Sequence, residues 1–297
     1  MSFRRRIHDL VSTLAASPVS VVNALPRAAK GLKRGARRAR YRAKLRGGDV
    51  DFVTLDELAV WTREFVENFP ESYDLVIGVP RSGMLVASIV ATKLGRPLTT
   101  PDLFAEGRWW SSRLLEPTAS TDIRSVLLVD DSVDRGSSIE AAMKVIELKA
   151  RSLRVTTAAL IAHRPNATDL VDLHHRIIPH PAIFEWNLMH AKVMSRLSAS
   201  LEGVLDRSGR VPVYSIDLVL AAGNEGACAR TEAFLKERGV LYDELIMRAG
   251  REKSELLRLA PSDLHLEGPI AEARKIFSST GIPTICMDEM QLVGSLR

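Results

Sequence analysis

The chain has 297 residues, 46% hydrophobic and 26% charged, with two cysteines and a net charge of +5. That length suits about two domains, and the balance is that of an ordinary globular chain, not of collagen, coiled coil or wholesale disorder. No run of about 18 apolar residues occurs to span a membrane, and Cys228 and Cys286 alone build neither a disulfide scaffold nor a four-cysteine zinc site.

The charge is unevenly spread. Residues 1–48 hold 13 Lys/Arg against one acid, Asp9, giving +12, while the other 28 basic and 35 acidic residues leave −7. The pattern predicts a basic N-terminal extension (1–48) on an acidic body rather than a nucleic-acid-binding fold. Polar residues between His8 and Ser20 interrupt the apolar middle of this segment and argue against a secretion signal. Two readings stay open for the arm. It is a basic helix meeting anionic lipid or nucleic acid, or a solvated extension. The expected location is the cytoplasm, with peripheral membrane contact through the arm in the first reading.

The first globular unit is expected over 49–190. Thr54-Leu-Asp-Glu57 fits a capping box, followed by a helix with Leu55, Leu58, Phe65, Val66 and Phe69 facing inward. Tyr73–Val79 reads as a buried strand, Gly78–Gly83 as a turn and Met84–Leu94 as a helix. The strand Val126–Val129 meets Asp130-Asp131, a turn at Gly136 leads into a helix to about Leu148, and a strand follows over Leu153–Ala162. Strands alternating with helices predict an α/β fold with a parallel sheet covered on both faces, and ligands bind beyond the carboxyl ends of such strands.

Val126-Leu-Leu-Val-Asp-Asp-Ser-Val-Asp-Arg-Gly-Ser-Ser-Ile139 is the most informative stretch. Adjacent carboxylates at a strand end can accept hydrogen bonds from vicinal sugar hydroxyls. Asp134-Arg135-Gly136-Ser137-Ser138 then enters a helix N-terminus, where unpaired N–H groups, the helix dipole and two hydroxyls favour an anion. The spacing suits one ligand with a ribose diol and a 5′-phosphate. Gly78-Val-Pro-Arg-Ser-Gly83 offers a second anion-binding turn, with Arg81 as a fixed fork of donors. Neither turn is a Walker loop or a dinucleotide fingerprint.

The first stretch resembles the phosphoribosyl pyrophosphate (PRPP) signature of type I phosphoribosyltransferases, and Gly78–Gly83 looks like that family's pyrophosphate loop. The resemblance covers about residues 50–190. It implies that Asp130 and Asp131 hold the ribose hydroxyls, directly or through Mg²⁺. Arg135, Gly136, Ser137 and Ser138 would bind the 5′-phosphate, and Arg81, Ser82 and Gly83 the pyrophosphate. Asp134 lies where purine-using members place an acid near the base nitrogen, and is the candidate general base. Arg135 departs from the Thr of many members. A loop over Phe104–Asp122 would close on the reacting centre, with Arg108 and Arg113 reaching pyrophosphate. Trp109 and Trp110 either cover the site or pack on the sheet. Ile183–His190 faintly resembles a segment that contacts the base in purine-type members, so Trp186 is either an acceptor contact or a core aromatic. Many relatives form dimers, so a homodimer is implied. His174, His175 and His190 have no partners at ligand spacing, and zinc is not expected.

A second α/β pattern occupies 191–297: strands at Ile216–Leu220, Glu244–Met247, Leu264–Leu266 and Pro283–Met287, and helices at Glu225–Arg238 and Ile270–Ser279, with Gly239 and Gly281 after them. Its order resembles haloacid-dehalogenase-type phosphatases. In their motif positions stand Ser200 for the nucleophilic Asp, Glu202 for the acid/base Asp, Ala221-Ala222 for Ser/Thr, Lys253, and Glu267 as the last acid. A serine without a basic partner cannot replace a carboxylate that forms an acyl phosphate. The expectation is therefore a transferase, or a PRPP-sensing binding protein, followed by a catalytically silent second domain.

Overall fold

The computed structural model describes residues 21–23, 50–70, 72–111, 123–150, 152–190, 196–207 and 215–294. The expectations for the rest of the basic arm, for Arg113 and for the stretch to Asp122 lie outside them. The chain divides into two compact units, one spanning Val53–Trp186, the other joining residues up to Phe52 with Asn187–Arg297. In chain order the first elements are β1 (Val21–Asn23), β2 (Asp51–Val53), α1 (Leu55–Glu67), β3 (Leu75–Gly78), α2 (Gly83–Leu94), β4 (Leu98–Thr99), α3 (Pro101–Ala105), β5 (Ser125–Val133), α4 (Ser137–Lys149), β6 (Arg154–Ala162), β7 (Leu173–Ile177) and β8 (Ala182–Phe184). Then come β9 (Leu197–Ser200), β10 (Ile216–Ala221), α5 (Cys228–Glu237), β11 (Tyr242–Met247), α6 (Lys253–Leu259), β12 (Leu264–Glu267), α7 (Ile270–Thr280), β13 (Thr284–Cys286) and β14 (Gln291–Val293).

The unit over Val53–Trp186 is built on a parallel sheet of order β4-β3-β5-β6-β7. Its central strands are apolar almost throughout because both faces are covered. Val76, Leu127, Val129 and Leu160 join one core cluster; Leu75, Ile77, Val126, Leu128 and Ala159 join the other. This is the alternation a strand imposes, and each fully buried Leu, Ile or Val contributes about 1.5–3 kcal/mol.

At the start of α1 the predicted capping box forms: Glu57 N–H donates to Thr54 Oγ1 (3.2 Å), and Thr54 N–H donates to Glu57 Oε2 (2.9 Å). Leu58, Phe65 and Val66 are buried, but Leu55, expected inward, is 39% exposed. It is the first helical residue and sits before the buried stripe begins. The loop expectation from Phe104 onward is also revised. Thr100 caps α3, accepting from Leu103 N–H at 3.3 Å, with Pro101 at the first turn, and Phe104 is buried. Trp110 exchanges two backbone hydrogen bonds with Leu98 (2.9 and 2.8 Å). Trp109 packs on the core, whereas Trp110 is 53% exposed.

The other unit has a seven-stranded sheet of order β1-β11-β10-β9-β12-β13-β14. Its inner five strands are parallel; β1 and β14 join antiparallel at the two edges. Thus Val21–Asn23, within the segment expected to be an extension, forms an edge strand. Helix α7 ends at Gly281, whose φ of +69° is the left-handed cap predicted for a glycine there. Both cysteines are buried, as small hydrophobes should be. Among the described residues no helix is long and apolar enough to cross a membrane.

Candidate functional site

Strand β3 ends beside the middle of β5, which runs on to Val133, so Asp130 and Asp131, expected beyond a strand ending at Val129, lie within β5 where it is paired with β6 alone. Gly78 is in register with Val129, and Val79 N–H donates to the Val129 carbonyl at 2.8 Å. The turn after β3 and the acids after Val129 therefore share one edge of the sheet. Arg81 is exposed, the Pro80–Arg81 peptide is cis, and α2 begins at Gly83 immediately after Ser82. A Cβ on Gly83 would lie 2.8 Å from Asp130 Oδ1 and 3.0 Å from both Asp130 Cα and the Val129 carbonyl oxygen. Only glycine permits that approach, which sets the start of α2 directly against the acid pair.

Asp130 and Asp131 are each 6% exposed. Asp131 N–H donates to Asp130 Oδ1 (2.9 Å), and the Trp186 indole Nε1–H donates to Asp131 Oδ2 (2.9 Å). Burial, then the adjacent Asp131 carboxyl, pushes Asp130 up to about 9. Burial also raises Asp131, against hydrogen bonds that include that of Trp186. A cation or hydrogen-bond donors brought to this pair would reverse the penalty of its charge. Among the described residues no group of three or more His, Cys, Asp or Glu side chains could hold a metal by itself. Mg²⁺ does not need one, since it is commonly bound through one or two carboxylates with substrate phosphates and water. The donor set of Asp130 and Asp131 fits it.

Beyond β5 the chain turns through Gly136 (φ +74°) into α4, leaving Ser137 and Ser138 exposed in the first turn. This is the expected backbone form, a left-handed glycine followed by a helix N-terminus, the kind of place that favours an anion. Arg135 is exposed beside it. Asp134 is held from outside the motif. Arg164 Nε donates to the Asp134 carbonyl (3.0 Å) and stands 3.4 Å from Oδ1, while His180 Nε2 stands 3.8 Å from Oδ2. The sequence reading missed Arg164 and His163. Their position just beyond β6, at the same carboxyl edge, was the available signal.

Trp186 takes the core position that was one of its two readings. Its ring packs on the core and stacks on Phe184 (centroids 4.7 Å, 11°) while its N–H reaches Asp131. Phe184 stacks in turn on His163 (5.4 Å, 22°), and His163 on His180 (3.9 Å, 17°). His163 Nδ1 lies 3.0 Å from the Ile178 carbonyl, so that nitrogen carries the proton, and burial holds the imidazole below its usual pKa. Arg108 is exposed and pairs with Glu106 at 3.0 Å.

The other unit also gathers its predicted residues. Ser200 Oγ (2.8 Å) and Lys253 Nζ (2.7 Å) both donate to Glu267 Oε2, and Ala222 N–H donates to Glu202 Oε1 (2.7 Å). Behind them Ser198 Oγ contacts Ser262 Oγ (2.6 Å) and His265 Nδ1 (2.8 Å). Against burial, the pairing with His265 and Lys253 holds Glu267 down at about 2. Glu202, Gly203, Arg248, Lys253 and Glu267 line a cavity of about 400 Å³.

Residues 54–190 match the family described as phosphoribosyl transferase domain. The chain is 28% identical over 97 residues to the orotate phosphoribosyltransferase of Sulfurisphaera tokodaii, covering 33% of this chain and 47% of that protein. It thus spans about half the length of the curated relative it matches. Similar solved structures include the Helicobacter pylori xanthine-guanine-hypoxanthine phosphoribosyltransferase (19% identity, TM-score 0.36, 47% of this chain and 92% of that one). A Pyrococcus horikoshii purine phosphoribosyltransferase is a second (19%, TM-score 0.34, 46% and 93%). The segment that matches this family, residues 54–190, is the one that carries the acid pair, the glycine-bounded turn and the Gly136 turn.

Proposed function

We propose that this domain binds PRPP with Mg²⁺ and transfers its 5-phosphoribosyl group to a nucleobase, releasing pyrophosphate. The observation that supports the reading is the junction of Gly83 with Asp130, which brings the Gly78–Gly83 turn against Asp130-Asp131, as one ligand bearing both a pyrophosphate and a ribose would need. Asp130 and Asp131 would accept the ribose hydroxyls and hold Mg²⁺. That ion, when bound, would supply positive charge to the phosphate oxygens. Arg81 and the backbone about Ser82 and Gly83 would stabilise the departing pyrophosphate, and Gly136, Ser137, Ser138 and Arg135 would anchor the 5′-phosphate. The C1–O bond to pyrophosphate breaks, a C1–N bond forms, and the acceptor nitrogen loses its proton. Asp134 is the candidate recipient.

A nucleobase acceptor agrees with relatives named for orotate and for purines; Asp134 tilts the choice to purine-like bases. One observation favours a second reading, PRPP binding without transfer: the Asp134 carboxylate is paired with Arg164, so a base role requires that pairing to be released. The other unit is read as a haloacid-dehalogenase-like domain without catalysis, because Ser200 and Ala222 replace a nucleophile and a hydroxyl. The arm is read as an anchor on anionic lipid or nucleic acid, in a cytoplasmic protein that pairs as a homodimer.

The test is pyrophosphate release from PRPP with magnesium chloride over purines, orotate and other pyrimidines. Release with one class, lost in Asp131→Asn, is expected. PRPP binding by calorimetry with no release for any acceptor would replace the transferase by the sensor. No binding at millimolar PRPP would end both.

A further inference from the structure

The acid pair has a third member that lies 55 residues downstream. Asp131 is almost fully buried, and among the described residues the side-chain donor it receives from outside the pair is the Trp186 indole N–H, at 2.9 Å. That donor is aimed by a ladder of rings. Trp186 lies nearly parallel to Phe184 at 4.7 Å, Phe184 to His163 at 5.4 Å, and His163 to His180 at 3.9 Å. The ladder is pinned where His163 Nδ1–H meets the Ile178 carbonyl. The rings come from β8 (Phe184), from the turn after it (Trp186), from the residue after β6 (His163) and from the segment before β8 (His180).

We propose that Trp186 is a positioning residue, its indole N–H fixing the Asp131 carboxylate in the orientation that receives the ribose of PRPP. This rests on the PRPP reading of the site. An N–H donor is worth most to a charged acceptor, and here it leaves the other carboxylate oxygen to face the ligand.

Trp186→Phe keeps the stacked ring and deletes the donor. Calorimetry with PRPP and magnesium chloride should find affinity about tenfold lower or worse, the loss of one hydrogen bond to a charged group. Where turnover is measurable, KM for PRPP should rise more than kcat falls, a split that a general loss of packing would not produce. Equal affinity would overturn the proposal.

A second measurement needs neither PRPP nor the Phe variant. Each of Trp61, Trp109, Trp110 and Trp186 gives one indole resonance in a ¹H–¹⁵N spectrum, and that of Trp186 should jump in Asp131→Asn. No jump in that variant would also overturn the proposal. Failure of the wild-type protein to bind PRPP would instead remove the proposed ligand, with the indole shift in Asp131→Asn still deciding whether Trp186 holds Asp131.

Discussion

Gly83→Ala tests the packing on which the site is built. The added Cβ would meet Asp130 Oδ1 at 2.8 Å and Asp130 Cα and the Val129 carbonyl oxygen at 3.0 Å. Two of the three are backbone atoms of a strand paired on both sides, so relief must come from moving the start of α2 or β5. Forcing one methyl into a packed site costs typically about 1–3 kcal/mol. Gly107 gives the contrast: nothing lies within 4 Å of its Cβ position, and its alanine variant costs only the strain of a +73° φ, about 1 kcal/mol. All four tryptophans fall within Val53–Trp186, so urea unfolding followed by their fluorescence reports on this unit alone. We expect a loss of about 1–3 kcal/mol for Gly83→Ala. PRPP affinity should fall with it, because the displaced atoms are those of Asp130. A change below about 0.5 kcal/mol with unaltered binding would refute the idea that glycine is required for helix and acid to meet.

Two more outcomes follow from charge. Asp130 is raised in the folded protein to about 9, so its contribution to stability is full below the unfolded value near 3.9 and is lost as pH rises toward 9. Asp130→Asn should therefore gain on the wild type steadily between pH 5 and 9 in thermal melts; a difference constant with pH would refute the burial argument. In the other unit, Lys253→Met leaves Glu267 ionised and buried without its ammonium partner, and should cost about 3–5 kcal/mol, followed by circular dichroism. A neutral result would show that Ser200, His265 and the Gly268 N–H suffice for Glu267.

What the sequence by itself determined was local. Thr54 and Glu57 are three residues apart and cap a helix wherever it lies. An apolar run ending in Asp130-Asp131, followed by Gly136 and two serines, declares a strand, a turn and a helix N-terminus without reference to the rest of the chain. The backbone form of both turns was legible for that reason, as were the glycines that end α5 and α7. Tertiary structure decided everything that depends on which strand lies beside which. Gly83 meets Asp130 only because Gly78 and Val129 share a register; Arg164 reaches Asp134, and Trp186 reaches Asp131, only because β6 and β8 bring them to the same edge. Trp109 and Trp110 are adjacent and identical, yet one packs inward and the other is exposed, a choice made by the backbone pairing of Trp110 with Leu98. Hydrogen bonds and burial act over a few ångströms, so contacts between residues dozens of positions apart are written in the packing and not in the spacing.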